Sequence, residues 1–268
     1  MTEHFFQTKD AKYAYTVIGE GEPILLFHGF TGSRTSWEKI VPKLATRCKV
    51  ITIDLPGHGK TVCETPRTME TFSEDVIQLL TFLNIEKLHV LGYSMGGRTA
   101  LSFAMYYPQF VQTLILESAS PGLKTEVERM SRTERDNTLA NRIEDKGVES
   151  FVDYWEEIPL FATQKQLSKD VQEAIRKERL RQNEKGLADS LRFMGTGKQP
   201  SWWDKLAEVH IPVLLIAGEA DEKFVQMNKE MNKLFPNSEL KIVERAGHTI
   251  HVEQPEKFVT IVMEFIAK

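Results

Sequence analysis

The chain has 268 residues, near the upper limit for one hydrophobic core, so a single domain carrying an inserted subdomain is expected. A net charge of −4, with no basic run interleaved with aromatics, argues against nucleic acid as a partner. The longest apolar runs, such as PILLFHGF, fall far short of the roughly 20 residues that a membrane span requires.

At the N-terminus, MTEHFFQTKD lacks the basic and apolar regions of a signal peptide. The two cysteines, Cys48 and Cys63, form neither a disulfide framework nor a metal-ligand spacing. A cytoplasmic protein with reduced thiols is therefore expected.

HFFQTKDAKYAYTVIGEGEP then reads as a polar-alternating antiparallel pair ending in a glycine-rich turn. Near-continuous apolar runs follow at 23–29, 49–57, 87–94, 111–118, 211–221 and 239–248. A parallel sheet covered on both faces requires such strands. Helical patterns lie between them. In FSEDVIQLLTFL, Phe72, Val76, Leu79, Leu80 and Leu83 form one apolar stripe. PEKFVTIVMEFIAK, with Pro255 in a first-turn position, predicts a closing helix.

The strand rhythm stops between 119 and 205, where charges and patterns such as VQEAIRKERLRQ predict helices. The fold class expected is α/β: a mostly parallel sheet with helices on both faces. Its core spans 1–118 and 206–268, and 119–205 is an inserted helical lid.

The chemistry concentrates in LGYSMGGR. A strand, Gly92-Tyr93-Ser94-Met95-Gly96 and a helix make a G-x-S-x-G nucleophile elbow, which lifts the serine hydroxyl above the strand end. The backbone N–H of Met95, at the helix start, is one candidate oxyanion donor. HGFTGS follows an earlier strand, and the N–H of Phe30 is the second. A serine needs a base and the base an orienting carboxylate, in the chain order serine, acid, histidine.

Asp221 ends VLLIAGEAD, with Glu219 as a less well placed substitute. His248 follows LKIVERAG and is favoured over His251 because Gly247 precedes it. His28 reads as a brace for its loop. His4, His58, His89 and His210 read as structural or surface residues.

HGF, DLPGHG, GYSMGG, GEAD and AGH, in this order along the whole chain, resemble the α/β-hydrolase family. That family includes esterases, carbon–carbon bond hydrolases, lyases and receptors with little turnover. Arg98 narrows the choice. It shares the helix face of Ser94 at i+4, on a helix that is otherwise apolar, and a guanidinium there calls for an anion unless it pairs with a carboxylate such as Glu117.

GYSMGGR, ESASPGL, YWEEIPLF, ERLRQNEKGLADSL and GTGKQPSWW together resemble the 2-succinyl-6-hydroxy-2,4-cyclohexadiene-1-carboxylate synthases of the menaquinone pathway. The resemblance carries substrate-binding roles to Arg98, Arg132, Trp155 and Arg179, with Tyr93 also lining the pocket. Arg129 and Arg135 are rivals to Arg132, and Arg176 and Arg181 to Arg179.

The resemblance implies a lyase that eliminates pyruvate from a tricarboxylate, with Ser94 as a base and no metal or organic cofactor. A serine hydrolase acting on an anionic substrate, a carboxylesterase or a carbon–carbon bond hydrolase, is the alternative. The expected partner is a small polycarboxylate, and a monomer is the default. The glycines of GTGKQP suggest a hinge for the lid.

Overall fold

The computed structural model describes residues 2–268. Among them one sheet is built from β1 (Glu3–Gln7), β2 (Ala11–Ile18), β3 (Glu22–Phe27), β4 (Cys48–Ile53), β5 (Val62–Cys63), β6 (Leu88–Tyr93), β7 (Val111–Glu117), β8 (Val213–Gly218) and β9 (Ser238–Val243). The strand order is β1-β2-β4-β3-β6-β7-β8-β9, with the two-residue β5 paired to β2. β2 runs antiparallel to β1, β4 and β5, whereas every neighbouring pair from β4 to β9 is parallel. The helices are α1 (Val41–Leu44), α2 (Met69–Phe82), α3 (Met95–Tyr106), α4 (Glu126–Trp155), α5 (Lys169–Leu180), α6 (Glu184–Met194), α7 (Glu222–Leu234), α8 (Ile250–Glu253) and α9 (Pro255–Ile266).

The continuous apolar strands have a simple cause. Successive side chains of a strand point to opposite faces, and here both faces are covered. Leu25 and Phe27 of β3 enter one core with Phe72 and Val76 of α2 and Leu101 of α3. Ile24 and Leu26 enter the other with Trp37, Val41 of α1 and Phe258 and Val262 of α9. Thr68 caps α2, accepting from the Thr71 N–H at 3.2 Å, and the stripe Phe72, Val76, Leu79 and Leu80 is buried. Leu83 lies just past the helix end, half-buried.

Helices α4, α5 and α6 are inserted between β7 and β8. The long run of α4 breaks at Gly147, whose φ of 79° suits a residue without a Cβ. The insertion has its own apolar core, in which Ile143 and Phe151 of α4 meet Leu187 and Leu191 of α6. The glycines of GTGKQP are closely packed. A Cβ on Gly195 would lie 2.2 Å from the Leu191 carbonyl oxygen, and one on Gly197 2.5 Å from the Thr133 nitrogen. Their missing side chains let this segment press against α4 and α6.

Candidate active site

Ser94 sits between β6 and α3 with φ 51° and ψ −108°, a strained conformation for a residue with a side chain. The flanking glycines make the turn sterically feasible. A Cβ on Gly92 would lie 2.1 Å from the Gly96 carbonyl oxygen, and one on Gly96 2.0 Å from that of Phe27. The turn brings Ser94 Oγ to 2.9 Å from His248 Nε2, and His248 Nδ1 lies 2.6 Å from Asp221 Oδ2. Because a carboxylate only accepts, Nδ1 carries the imidazole proton and Nε2 accepts from the seryl hydroxyl. The three side chains come from the carboxyl ends of β6, β8 and β9, where open α/β sheets place their sites.

The competing residues have other partners. Asp221 also caps α7, its Oδ1 accepting from the Phe224 N–H at 3.5 Å, so one carboxylate both caps and orients. Glu219 is exposed and accepts from the Arg245 N–H. His251 is engaged elsewhere: its backbone N–H and Nδ1 both donate to the buried Glu117, at 2.9 and 2.8 Å.

His28 donates from Nδ1 to the Gly29 carbonyl at 2.8 Å, and its Nε2 accepts from the Leu55 N–H at 2.9 Å. His58 Nε2 accepts from the Thr31 N–H at 3.3 Å. Burial holds His28 down at about 4 and, with the neighbouring His28, His58 at about 3, so both brace the loop as neutral rings. Phe30 lies in that loop and Met95 opens α3. Neither backbone N–H donates to a protein acceptor among the described residues, and at the first helical position no intrahelical acceptor exists.

Arg98 is 9% exposed and donates from Nη1 to the Met194 carbonyl at 3.0 Å and Gln199 Oε1 at 3.3 Å. Both partners are neutral. Its suggested partner Glu117 is taken by His251, and no carboxylate lies within ion-pair distance of Arg98 among the described residues. Burial, helped by Arg132, pulls the guanidinium down to about 9. Arg132 is half-exposed and pairs with Asp136 at 2.8 Å.

Arg179 is also buried. It donates to Gln164 Oε1 at 3.0 Å and stacks on Phe161 at 4.7 Å, with Glu156 no closer than 3.7 Å, and burial lowers its pKa. Its rivals differ. Arg176 is neutralised by Asp153 and Glu156, and Arg181 is exposed. Arg129 is spent on the Leu123 and Lys124 carbonyls, and the exposed Arg135 on Ser131.

Trp155 packs edge-on to Phe30 and Phe161, with ring centroids 5.6 and 5.8 Å away, and its buried indole N–H has no partner. Tyr93 meets Thr249 Oγ1 at 2.9 Å, and burial raises its pKa. A cavity of about 310 Å³ is walled in part by Phe30, Tyr93, Phe161 and Arg179 but not by Ser94 or His248. Tyr93 joins the two regions, its ring 5.4 Å from that of His248.

Sequence reasoning missed Phe161, Thr249 and the amides Gln164 and Gln199. Neutral amides on helical or irregular segments have no diagnostic spacing, and only the arginines they contact identify them.

A family model described as the alpha/beta hydrolase fold matches residues 22–255. The chain belongs to the alpha/beta hydrolase fold family. Within it, the chain is 47% identical over 261 residues to a Bacillus subtilis (strain 168) protein named "Putative 2-succinyl-6-hydroxy-2,4-cyclohexadiene-1-carboxylate synthase", with 94% of each chain covered. It is 30% identical to the 2-succinyl-6-hydroxy-2,4-cyclohexadiene-1-carboxylate synthase of Enterobacter sp. (strain 638), with 88% of each covered. The solved structure of MenH from S. aureus superposes with a TM-score of 0.91 at 36% identity, over 97% of this chain and 98% of that one.

Proposed function

We propose that this chain is a lyase of menaquinone biosynthesis, 2-succinyl-6-hydroxy-2,4-cyclohexadiene-1-carboxylate synthase. It eliminates pyruvate from 2-succinyl-5-enolpyruvyl-6-hydroxy-3-cyclohexene-1-carboxylate in the cytoplasm. One observation carries the choice of an anionic substrate over a neutral ester. Arg98, one helical turn beyond Ser94, is buried against neutral partners alone. A charge held that way is costly until an anion joins it.

In this reading His248, oriented by Asp221, takes the seryl proton, and the Ser94 alkoxide removes a ring proton. Charge develops on the succinyl carbonyl oxygen, where the N–H groups of Phe30 and Met95 stabilise it, and its collapse expels the enolpyruvyl group. Arg98, Arg132 and Arg179 hold carboxylates, and charge-assisted pairs of this kind are roughly twice as strong as neutral hydrogen bonds. Tyr93 and Trp155 shape the pocket, the free indole N–H offering one more donor. Residues 119–205 act as the lid over the core formed by 1–118 and 206–268. A monomer suffices, since one chain supplies every group.

The test is stoichiometric. Purified protein given the tricarboxylate should release one pyruvate per substrate, and Ser94→Ala should lower the rate by about 10³ or more while leaving the fold intact. No pyruvate, together with rapid cleavage of p-nitrophenyl esters, makes the chain a hydrolase instead.

A further inference from the structure

The loop that presents Phe30 is itself strained. The Gly32 N–H donates to the Gly29 carbonyl at 3.0 Å, closing a tight turn in which Thr31 has φ 69°. A β-branched residue rarely occupies that region, and the conformation persists only where its surroundings over-determine it. The orientation of the Phe30 N–H depends on this turn. Gly29 C=O and Phe30 N–H belong to one planar trans peptide, so whatever fixes the carbonyl also aims the N–H the opposite way. The carbonyl is held by His28 Nδ1 and the Gly32 N–H together.

On the entry side the restraint comes from the core, through His28 and His58. On the exit side it comes from α5 and the residues just after it. Gln182, 6% exposed, donates from Nε2 to the Gly32 carbonyl at 3.1 Å, while its Oε1 accepts from the Gly59 N–H at 2.9 Å. Glu178 Oε1 accepts from Ser33 Oγ at 2.7 Å, Thr35 Oγ1 at 3.0 Å and Ser36 Oγ at 2.9 Å. Ser33 and Ser36 form the capping box of the short helical turn at 34–37, so the carboxylate grips a motif that is already locally rigid. No basic side chain pairs with Glu178 among the described residues, although Arg179 and Lys177 flank it. Its oxygen is committed to the loop.

We infer that Glu178 and Gln182 are positioning residues that hold the Gly29–Gly32 turn in register, so that the inserted helices complete the oxyanion donor set supplied by the core. Neither residue touches the reacting atoms in this account. Without the exit-side restraint, Thr31 relaxes toward negative φ, the Gly32-to-Gly29 bond lengthens and the Gly29–Phe30 peptide is free to rotate. The inference rests on the proposed elimination only where turnover is the readout.

The experiment therefore has two arms. Backbone amide exchange over residues 28–36, followed by mass spectrometry, is compared among wild type, Glu178→Ala, Glu178→Gln and the near-isosteric Thr35→Val. Thr35→Val removes a hydroxyl from the core side of the same contact and serves if Glu178→Ala does not fold. Exchange in this segment should rise about tenfold in Glu178→Ala and measurably in Thr35→Val, with β3 unchanged. Glu178→Gln keeps an acceptor oxygen and should stay within about threefold of wild type.

In the second arm, Glu178→Ala should lower kcat for pyruvate release about tenfold with KM within about threefold. That is a partial version of the 10²- to 10³-fold cost of deleting an oxyanion donor outright. Unchanged exchange over 28–36 in the variants overturns the inference, as does a rise in KM with kcat intact. If wild type releases no pyruvate, the proposed function fails, and the exchange arm still decides whether α5 holds the turn.

Discussion

Two pairs of buried arginines in this molecule live in opposite surroundings. Near the N-terminal strands, Arg67 is 6% exposed and meets Asp10 and, from Nε, Asp75 at 2.6 Å. Arg34 meets Glu3 and the fully buried Asp54. Burial alone pulls Arg67 down, but its hydrogen bonds to Asp10 and Asp75 outweigh that and push it up. At the junction of α3 with the inserted helices, Arg98 has only a carbonyl and an amide, and burial wins. Arg179 is held by an amide and an aromatic face, with the Glu156 carboxylate only at 3.7 Å. Compensated arginines hold the fold together, whereas Arg98, with no carboxylate, and Arg179, with one distant carboxylate that also serves Arg176, have capacity left for a ligand's carboxylates.

The contrast can be broken most decisively by removing one arginine of each kind. Arg67→Met leaves Asp75 buried without a cation, with only the Tyr13 hydroxyl at 2.6 Å and the Gln78 amide at 3.3 Å, and should destabilise the protein by about 3–5 kcal/mol. Arg98→Met removes a charge that the fold does not neutralise and should change stability by less than about 1 kcal/mol. Thermal or denaturant unfolding measures both. Equal losses at the two sites would remove the distinction.

Buried histidines sharpen the same point from the side of neutrality. His28 and His58, with pKa held at about 4 and about 3, stay uncharged in the folded state, while the unfolded chain protonates them near 6.5. The unfolded state therefore binds more protons below pH 6.5. Stability is full above that value and falls as the pH drops toward 4. Two such groups give a slope of up to about 2.7 kcal/mol per pH unit. Unfolding curves taken from pH 7 to pH 5 should show this decline; half the slope would mean that one ring is charged in the fold, and a flat profile that both are.

Much of this was legible in the sequence because it depends on local pattern. Apolar continuity marked β3, β6, β7 and β8, which are buried on both faces, and glycine spacing marked the Ser94 turn, where a Cβ does not fit. Asp221 and His248 followed from chain order and strand ends. What could not be read was the set of long-range polar partners. That His251 belongs to Glu117, 134 residues away, depends on how α8 seats against β7, and that Arg98 meets Gln199, 101 residues away, depends on how the insertion seats on the sheet. The close packing of the glycines at 195–200 was hidden for a related reason. Glycine serves close packing as readily as flexibility, and only the neighbouring Leu191 carbonyl and Thr133 nitrogen reveal the packing.

The central claim is that an uncompensated buried arginine turns a hydrolase-type triad toward a polycarboxylate. Its most direct test is calorimetric titration of the tricarboxylate substrate into Ser94→Ala, which should bind without turning it over, and into Ser94→Ala/Arg98→Met. The account predicts that losing Arg98 raises Kd about 100-fold, or about 2.7 kcal/mol, and weakens the salt dependence of binding. Equal affinity in the two proteins would show that Arg98 serves the fold alone and contradict the account.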